Sequence, residues 1–387
     1  MQIGIDYTAA VRQGAGIGRY TRGLIGALLA LDYKSSYRLF VAARGVPADV
    51  PGGANVRACL APLTDRETSL VWQRLRLPLP IELFLGRLDL FHSPDFVLPP
   101  VLRARTVLTV HDLTFLRVPQ CAHPVLREYL TRVVPRSARR ADLILADSEN
   151  TRHDVIELLG VADERVRVVH PGVEARFEPV ADAEALAGVR RRYRLERPFI
   201  LGLGTLEPRK NFAGLIAAYA QLAARRSLPH DLIIAGGKGW LYEPIFAQVR
   251  ELGLEERVRF LGHVADADLP ALYTLASCLA YPSFYEGFGI PVLEAMACGT
   301  PVVTSHVSSL PEVGGEAVLY VDPNDTEGLA AGLDRALGDE ALRAALRTAG
   351  LERAQRFTWE AAAQALLAAY HATLGGLGPI PFRTDTP

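Results

Sequence analysis

Residues 281–305 read YPSFYEGFGIPVLEAMACGTPVVTS, and the fold turns on how this stretch is read. An apolar run, Ser277–Tyr281, ends where the stretch begins. A glycine-bearing loop follows, then helical spacing over Pro291–Ala297, a tight turn, and a second apolar run over Pro301–Thr304. Strand, loop, helix and strand in that order make a parallel crossover unit. In the loop, Gly287–Phe288–Gly289 lets backbone amides come close to a ligand. The helix opening near Ile290 adds the positive end of its dipole, which suits an anion. Glu286 lies in the loop and Glu294 eight residues further on, along the helix. Two carboxylates beside such a loop suit a ligand with hydroxyls at one end and phosphate at the other. Taken singly, Glu286 reads as a solvated loop charge and Glu294 as a helix surface residue; in combination with the loop they read as a site.

The pattern repeats outward from this stretch. Short runs rich in Val, Ile and Leu recur at Ile3–Tyr7, Leu88–His92, Thr106–Val110, Leu143–Ala146, Phe199–Leu203, Leu232–Ala235, Val258–Leu261 and Ala317–Val321. Helical spacing separates them over Gly18–Leu31, Asn211–Ala224, Glu243–Leu252 and Glu327–Leu337. Continuous apolar strands alternating with helices predict an α/β fold with parallel sheets covered on both faces. The 387 residues, 49% hydrophobic, are too many for one ordinary core and fit two domains. The polar stretch 173–197 marks the boundary. Up to Glu178 there are 23 basic against 19 acidic side chains, and beyond it 19 against 24.

The overall net charge of −1 argues against a nucleic-acid binder working through a global basic field. No run of 18 or more apolar residues is present, so no span crosses a membrane. The opening MQIGIDYTAAVRQG lacks the basic start and apolar core of a signal peptide, which leads to the expectation of a cytoplasmic protein. Cys59, Cys121, Cys278 and Cys298 are scattered without metal spacing and read as reduced thiols.

The paired glutamates within EGFGIPVLEAMACGTPVVTS resemble those of the retaining glycosyltransferases of family four, and the resemblance covers nearly the whole chain. It implies the GT-B fold: two Rossmann-like domains with parallel sheets facing a central cleft and a C-terminal helix crossing back to the N-terminal domain. On this reading residues 1–178 form the acceptor-side domain, completed by a helix over 358–374. Residues 179–357 form the nucleotide-sugar-binding domain, and 375–387 a flexible tail. Four further motifs agree with the resemblance, one of them Phe357–Trp359, FTW, which opens the last long helix with Thr358 expected as its N-cap. Gly14–Tyr20, GAGIGRY, looks like the family's glycine loop beneath the donor diphosphate, with Gly16 and Gly18 permitting close approach. Its spacing is G-x-G-x-G rather than G-x-G-x-x-G; a dinucleotide fingerprint and a plain turn stand beside it as alternatives. Leu206–Asn211, LEPRKN, resembles the diphosphate clamp, where Arg209 grips two oxygens and Lys210 acts as a point charge. His111, directly after Thr106–Val110, matches the family's histidine facing the donor sugar through its ring or main-chain carbonyl, with Asp112 fixing the ring or capping a helix.

The resemblance implies a retaining hexosyltransferase. The catalytic residues would be His111 and Glu286. Gly16, Gly18, Arg209, Lys210, Gly287, Phe288, Gly289, Ile290 and Glu294 would bind the donor, with Glu286 on the sugar hydroxyls and Glu294 on the ribose. No metal and no cofactor are expected. GDP-mannose is favoured as donor, with UDP- and dTDP-sugars as alternatives. The acceptor would be a glycan or lipid-linked saccharide in surface polysaccharide biosynthesis. An epimerase or a non-transferring nucleotide-sugar sensor is the alternative class. Because Glu286 is in a loop, Glu286→Ala is expected to abolish transfer and leave the fold intact. The basic, amphipathic segment Val125–Arg140 is compatible with peripheral docking on anionic membrane.

Overall fold

The computed structural model describes residues 1–14, 16–44 and 50–375. It separates into two compact units. One comprises Met1–Leu113, Glu128–Gly172 and the chain from Thr358 on; the other comprises Thr114–Arg127 and Val173–Phe357.

The first unit is built on a seven-stranded sheet: β1 Gln2–Asp6, β2 Ser36–Val41, β3 Val56–Leu60, β4 Leu90–Ser93, β5 Arg105–Val110, β6 Leu143–Ala146 and β7 Val166–Val168. Their order is β3-β2-β1-β4-β5-β6-β7 and every pairing is parallel. All six residues of β5 and all four of β6 are buried, as a sheet covered on both faces requires. The second unit holds β8 Phe199–Leu203, β9 Asp231–Ala235, β10 Val258–Gly262, β11 Cys278–Tyr281, β12 Val302–Ser305 and β13 Leu319–Val321, ordered β10-β9-β8-β11-β12-β13 and again parallel throughout. In each sheet the chain order reverses beside one central strand, β1 in the first and β8 in the second. Ligands of open parallel sheets bind at the carboxyl ends of the strands flanking such a reversal. In the second unit those ends belong to β8 and β11, the strands that precede LEPRKN and EGFG.

Three strands carried no readable apolar run. β3 is half exposed at the sheet edge, and β7 is an edge strand of three residues. β2 interleaves Ser36 and Arg38 with its buried residues. The division of the chain also departs from the expected 1–178 and 179–357. The crossing falls at Gly172–Val173, and Thr114–Arg127 joins the second unit. The polar stretch 173–197 contains the helix Ala183–Tyr193, capped by Asp182, whose side chain accepts from the Glu184 and Ala185 N–H groups. Its charges face water while Val189 is buried in the second unit's core, so a packed amphipathic helix imitates a linker.

The last helix spans Trp359–Gly375. Thr358 caps it through Oγ1, which accepts from Ala361 N–H at 3.1 Å. It packs on the helix Ile17–Leu31, burying Ala363, Leu366 and Tyr370 in the first unit's core. Gly375 closes this helix; residues 376–387 of the expected tail lie outside the described residues.

Candidate functional site

The carboxyl ends of β8 and β11 bring four charged side chains together. After β8 the chain makes a 3₁₀ turn, Pro208–Lys210. Asn211 then adopts the left-handed conformation (φ 54°) and caps the helix Phe212–Arg225, its side chain accepting from Gly214 N–H. This geometry turns Arg209 and Lys210 toward the loop after β11. Arg209 Nη1 donates to Glu286 Oε2 at 2.5 Å and to the Tyr285 carbonyl at 2.9 Å, while Nε donates to Glu207 Oε1 at 2.9 Å. Lys210 Nζ donates to Glu286 Oε1 at 2.7 Å and also to Tyr281 Oη. The loop itself is pinned: Glu286 N–H donates to Ser308 Oγ, and Ser309 Oγ donates to the carbonyls of Glu286 and Phe288, each at 2.9 Å.

Glu286 is 6% exposed, so it is no solvated loop charge. Burial alone would push its carboxyl up. The Arg209 guanidinium and the Lys210 ammonium outweigh burial and hold it at about 2. Burial and the neighbouring Arg209 push Lys210 down, opposed by Glu286 and Glu207. Each Glu286 oxygen takes one cation, and an ionised carboxylate offers about four lone-pair positions, so capacity to accept sugar hydroxyls remains.

Gly287, Phe288 and Gly289 lead into the helix Ile290–Ala297, with Gly289 as N-cap at φ 110°. A Cβ there would lie 2.8 Å from Leu310 Cδ2, so the turn into the helix demands glycine twice over. Glu294 is 1% exposed, which excludes a helix surface residue; Tyr273 Oη donates to its Oε2 at 2.8 Å.

In the first unit, Gly16 is the N-cap of the helix Ile17–Leu31 at φ 57°, and Arg22 secures the preceding loop by donating to the carbonyls of Ala10, Gln13 and Gly14. Ala15, within GAGIGRY, lies outside the described residues. Gly18 is buried, and a Cβ there would lie 2.0 Å from the Gln13 carbonyl. Its glycine therefore serves contact with the protein's own backbone, whereas Gly16 is exposed.

His111 follows β5, as expected, with its ring buried. Nδ1 contacts Asp147 Oδ2 at 2.8 Å, and Nε2 contacts the Pro94 carbonyl at 2.8 Å. Burial would lower its pKa; the Asp147 carboxylate overrides this and lifts it to about 9. Burial pushes the Asp147 carboxyl up in its turn, opposed by His111, so the two groups hold one another at Nδ1 while Nε2 lies on the Pro94 carbonyl. The His111 carbonyl accepts from Thr151 Oγ1 at 3.1 Å. The residue fixing the ring is Asp147, at the end of β6, rather than the adjacent Asp112.

Two further basic segments can be placed, the Lys238 loop after β9 and the helix read as a membrane surface. Lys238 is exposed, with its ammonium 5.2 Å from the Tyr242 ring centroid and 5.5 Å from that of Phe246. The helix Pro124–Arg140 continues through Pro135. Val133 and Val134 on it are buried, while Val125 and Leu126 are exposed, so part of the apolar stripe read as a membrane-facing surface belongs to the core. No described helix is long and apolar enough to cross a membrane. Among the described residues no group of three or more His, Cys, Asp or Glu is arranged to hold a metal ion.

Sequence reasoning missed Asp147, Tyr273, Tyr281, Glu207 and the Ser308–Ser309 pair. Glu207 was within the quoted LEPRKN, and Asp147 immediately follows an apolar run, the position where open sheets present ligands. The tyrosines carried no local signal.

Two family models and several known proteins match this chain. The profile for glycosyltransferase family 4 matches residues 14–177, and that for glycosyl transferases group 1 matches residues 190–353. O-antigen chain mannosyltransferase B of Escherichia coli is 39% identical over 273 residues, covering 70% of this chain and 71% of its own. Serotype-specific mannosyltransferase WbdA of Escherichia coli is 34% identical over 260 residues, covering 66% of this chain but only 32% of its own length. The solved sucrose-phosphate synthase from Thermosynechococcus elongatus superposes with a TM-score of 0.77 at 24% identity, covering 97% of this chain and 100% of that one. The fold, two parallel-sheet α/β units, is GT-B. This chain belongs to glycosyltransferase family 4.

Proposed function

We propose that the protein transfers a hexose, with retention at the anomeric carbon, from a nucleoside diphosphate sugar to a hydroxyl of a glycan or lipid-linked saccharide. The observation that carries this reading is the Glu286 carboxylate held ionised between Arg209 and Lys210 at the ends of β8 and β11. In this reading Glu286 accepts hydrogen bonds from the donor-sugar hydroxyls. Arg209 and Lys210 stabilise the charge that develops on the departing diphosphate, the dominant electrostatic task of such a transfer. Glu294 takes the ribose hydroxyls, and the helix N-terminus after Gly289 adds its dipole. Within the first unit, Gly16 and His111 keep their proposed donor-binding roles, and Gly18 supports them by letting the helix start pack against Gln13. With two cations and backbone amides supplying the positive charge, the transfer needs no divalent metal. The preferred route to retention is front-face substitution, in which the leaving phosphate takes the acceptor proton.

GDP-mannose is the proposed donor and surface polysaccharide the proposed destination. The support is the likeness to O-antigen chain mannosyltransferase B together with the opening GIDYTAAVRQGAGIGRYTRGL and the GTLEPRKN stretch. The test is calorimetry and thermal shift with GDP, UDP, ADP and dTDP, with and without EDTA. Selective stabilisation by GDP that survives EDTA is expected, since a ligand bound only by the native state raises its stability by mass action. Selectivity for another base discards GDP-mannose, and loss of binding in EDTA discards metal independence. A sugar trapped covalently on Glu286 overturns front-face substitution.

A further inference from the structure

Six of the thirteen large apolar side chains that stand exposed among the described residues gather in one part of the first unit. Leu70, Leu75, Leu77, Leu79 and Leu83 come from one stretch, each between 42% and 68% exposed. Leu102 joins them, because the Glu82 carboxylate beside Leu83 accepts from its N–H at 2.9 Å. A single exposed leucine needs no explanation, but such a group marks a surface that something covers.

Hydrogen bonds fold this loop into a fixed frame. Leu70–Arg74 forms one wide turn of π-helix, closed by Leu75 N–H donating to the Leu70 carbonyl at 2.8 Å. Arg76 then takes φ 54° and turns the chain back, so that Leu77 N–H donates to the Val71 carbonyl at 3.0 Å. Trp72 points inward. Its Nε1 donates to the Leu79 carbonyl at 2.9 Å, and its ring packs on Phe40 and Phe84, with centroids 5.8 and 6.2 Å away. Buried Ile81 ties down the far end, its N–H donating to the Pro100 carbonyl at 2.9 Å. The leucines between are held out by this frame.

The surface they form selects its occupant. Between Leu70 and Leu88 the charged residues are Arg74, Arg76 and Arg87 against Glu82 alone. Glu82 is committed to the chain, its oxygens accepting from the Leu102, Arg103 and Ala104 N–H groups. The outward face is therefore leucine and arginine, with Arg74 and Arg76 both exposed. Protein contacts are anchored by aromatic side chains more than by leucine, and here Trp72 and Phe84 pack beneath the loop. Pro78 and Pro80 have no N–H to offer an added strand. A second copy meeting this face about a two-fold axis would set arginine against arginine. A bilayer with anionic headgroups satisfies both halves: leucines enter the acyl boundary while guanidinium groups stay at the phosphates.

We propose that Leu70–Leu83 is a membrane-docking loop, whose exposed leucines insert shallowly into a bilayer carrying anionic lipid and whose Arg74 and Arg76 hold its headgroups. It adjoins the helix Pro124–Arg140, since Ser69 Oγ and Tyr129 Oη lie 3.3 Å apart. The loop, rather than that helix with its buried Val133 and Val134, is the docking surface. Docking stands on these side chains alone; only its purpose, presenting the first unit to a lipid-linked acceptor, rests on the functional reading above.

The test is sedimentation of the full chain with vesicles of phosphatidylcholine, alone or with about 30% phosphatidylglycerol, in the absence of donor and acceptor. The wild type should sediment with the anionic vesicles at low salt. It should bind about ten-fold less to the neutral ones or at about 0.5 M salt, where headgroup attraction is absent or screened. Leu75→Ser/Leu77→Ser/Leu79→Ser should lose at least about ten-fold in partition coefficient, and Arg74→Gln/Arg76→Gln about five-fold, at low salt only. Leu241→Ser/Leu252→Ser, changing exposed leucines of the second unit, should bind as the wild type does. Brominated lipid should quench the wild-type tryptophan emission, and the quenching should fall in Trp72→Phe, which keeps every leucine in place. A wild type that does not sediment, equal binding by the serine variant, or quenching untouched by Trp72→Phe overturns the proposal. Binding lost in Val125→Ser/Leu126→Ser instead returns docking to the helix and overturns it too. A dimer in light scattering that the serine variant converts to monomer assigns the face to a second copy, with the same consequence. A protein that docks as described but responds to no nucleoside diphosphate fails the functional reading and leaves the docking intact.

Discussion

Glu286→Gln exchanges a buried, doubly paired carboxylate for a neutral amide of nearly the same shape. The side chain is only 7% exposed and contacts both Arg209 and Lys210. Its pKa stands at about 2 against an ordinary 4.5. A difference of about 2.5 units at about 1.36 kcal/mol each amounts to roughly 3 kcal/mol of stability. A carboxylate with a depressed pKa contributes that stability fully above pH 4.5 and loses it as pH falls toward 2. The variant leaves two buried cations without their shared counter-charge, and breaking a buried pair from one side costs about 3–5 kcal/mol. In a unit of this size each kcal/mol lowers Tm by about 2–4 °C, so the variant should melt roughly 10 °C below the wild type at pH 7. The assay is calorimetric melting of both proteins between pH 7 and pH 3.5. The gap should narrow toward the acid end, and Lys210→Met introduced into Glu286→Gln should recover part of the loss by removing an unpaired cation. A variant that melts within about 1 °C of the wild type at pH 7, or a gap that stays constant down to pH 3.5, refutes the account of the cluster.

Two further outcomes follow from the geometry. Tyr273→Phe removes the hydrogen bond to the buried Glu294 and should cost about 1.5–3 kcal/mol in urea unfolding. It should also weaken nucleotide binding about ten-fold by calorimetry; an unchanged Kd would assign Glu294 to the core rather than to the ribose. Gly18→Ala places a methyl 2.0 Å from the Gln13 carbonyl and should lose roughly 2–4 kcal/mol. Gly237→Ala, which meets nothing within 4 Å, should stay within about 0.5 kcal/mol, and equal losses in the two would contradict the packing at Gly18.

Legibility in the sequence followed burial. Buried strands such as β5 and β11 are continuous apolar runs and can be read directly, because both faces of a parallel sheet exclude water. Edge strands β3 and β7 could not be read in this way, since a solvated face or a three-residue length erases the signal. The helix Ala183–Tyr193 was concealed for the opposite reason. Only Val189 on it is fully buried, with Leu186 and Tyr193 packed partly buried beside it, and its charged surface imitates a linker.

The sequence by itself determined the alternation of strands and helices, the loop and helix start around Gly287–Ile290, and the presence of Glu286, Glu294, Arg209, Lys210 and His111 after apolar runs. These are local properties: residue type, spacing and the punctuation of glycine. Only the tertiary structure decided what state those groups are in. Arg209 and Glu286 are separated by three crossover connections, and His111 and Asp147 by the helices Thr114–Arg117 and Pro124–Arg140 and the strand β6. Parallel pairing brings the ends of their strands side by side. Once the pairs are buried together, the low dielectric makes each charge depend on its partner. That dependence holds Glu286 low against its burial and lifts His111 above its ordinary value, and no spacing along the chain encodes either.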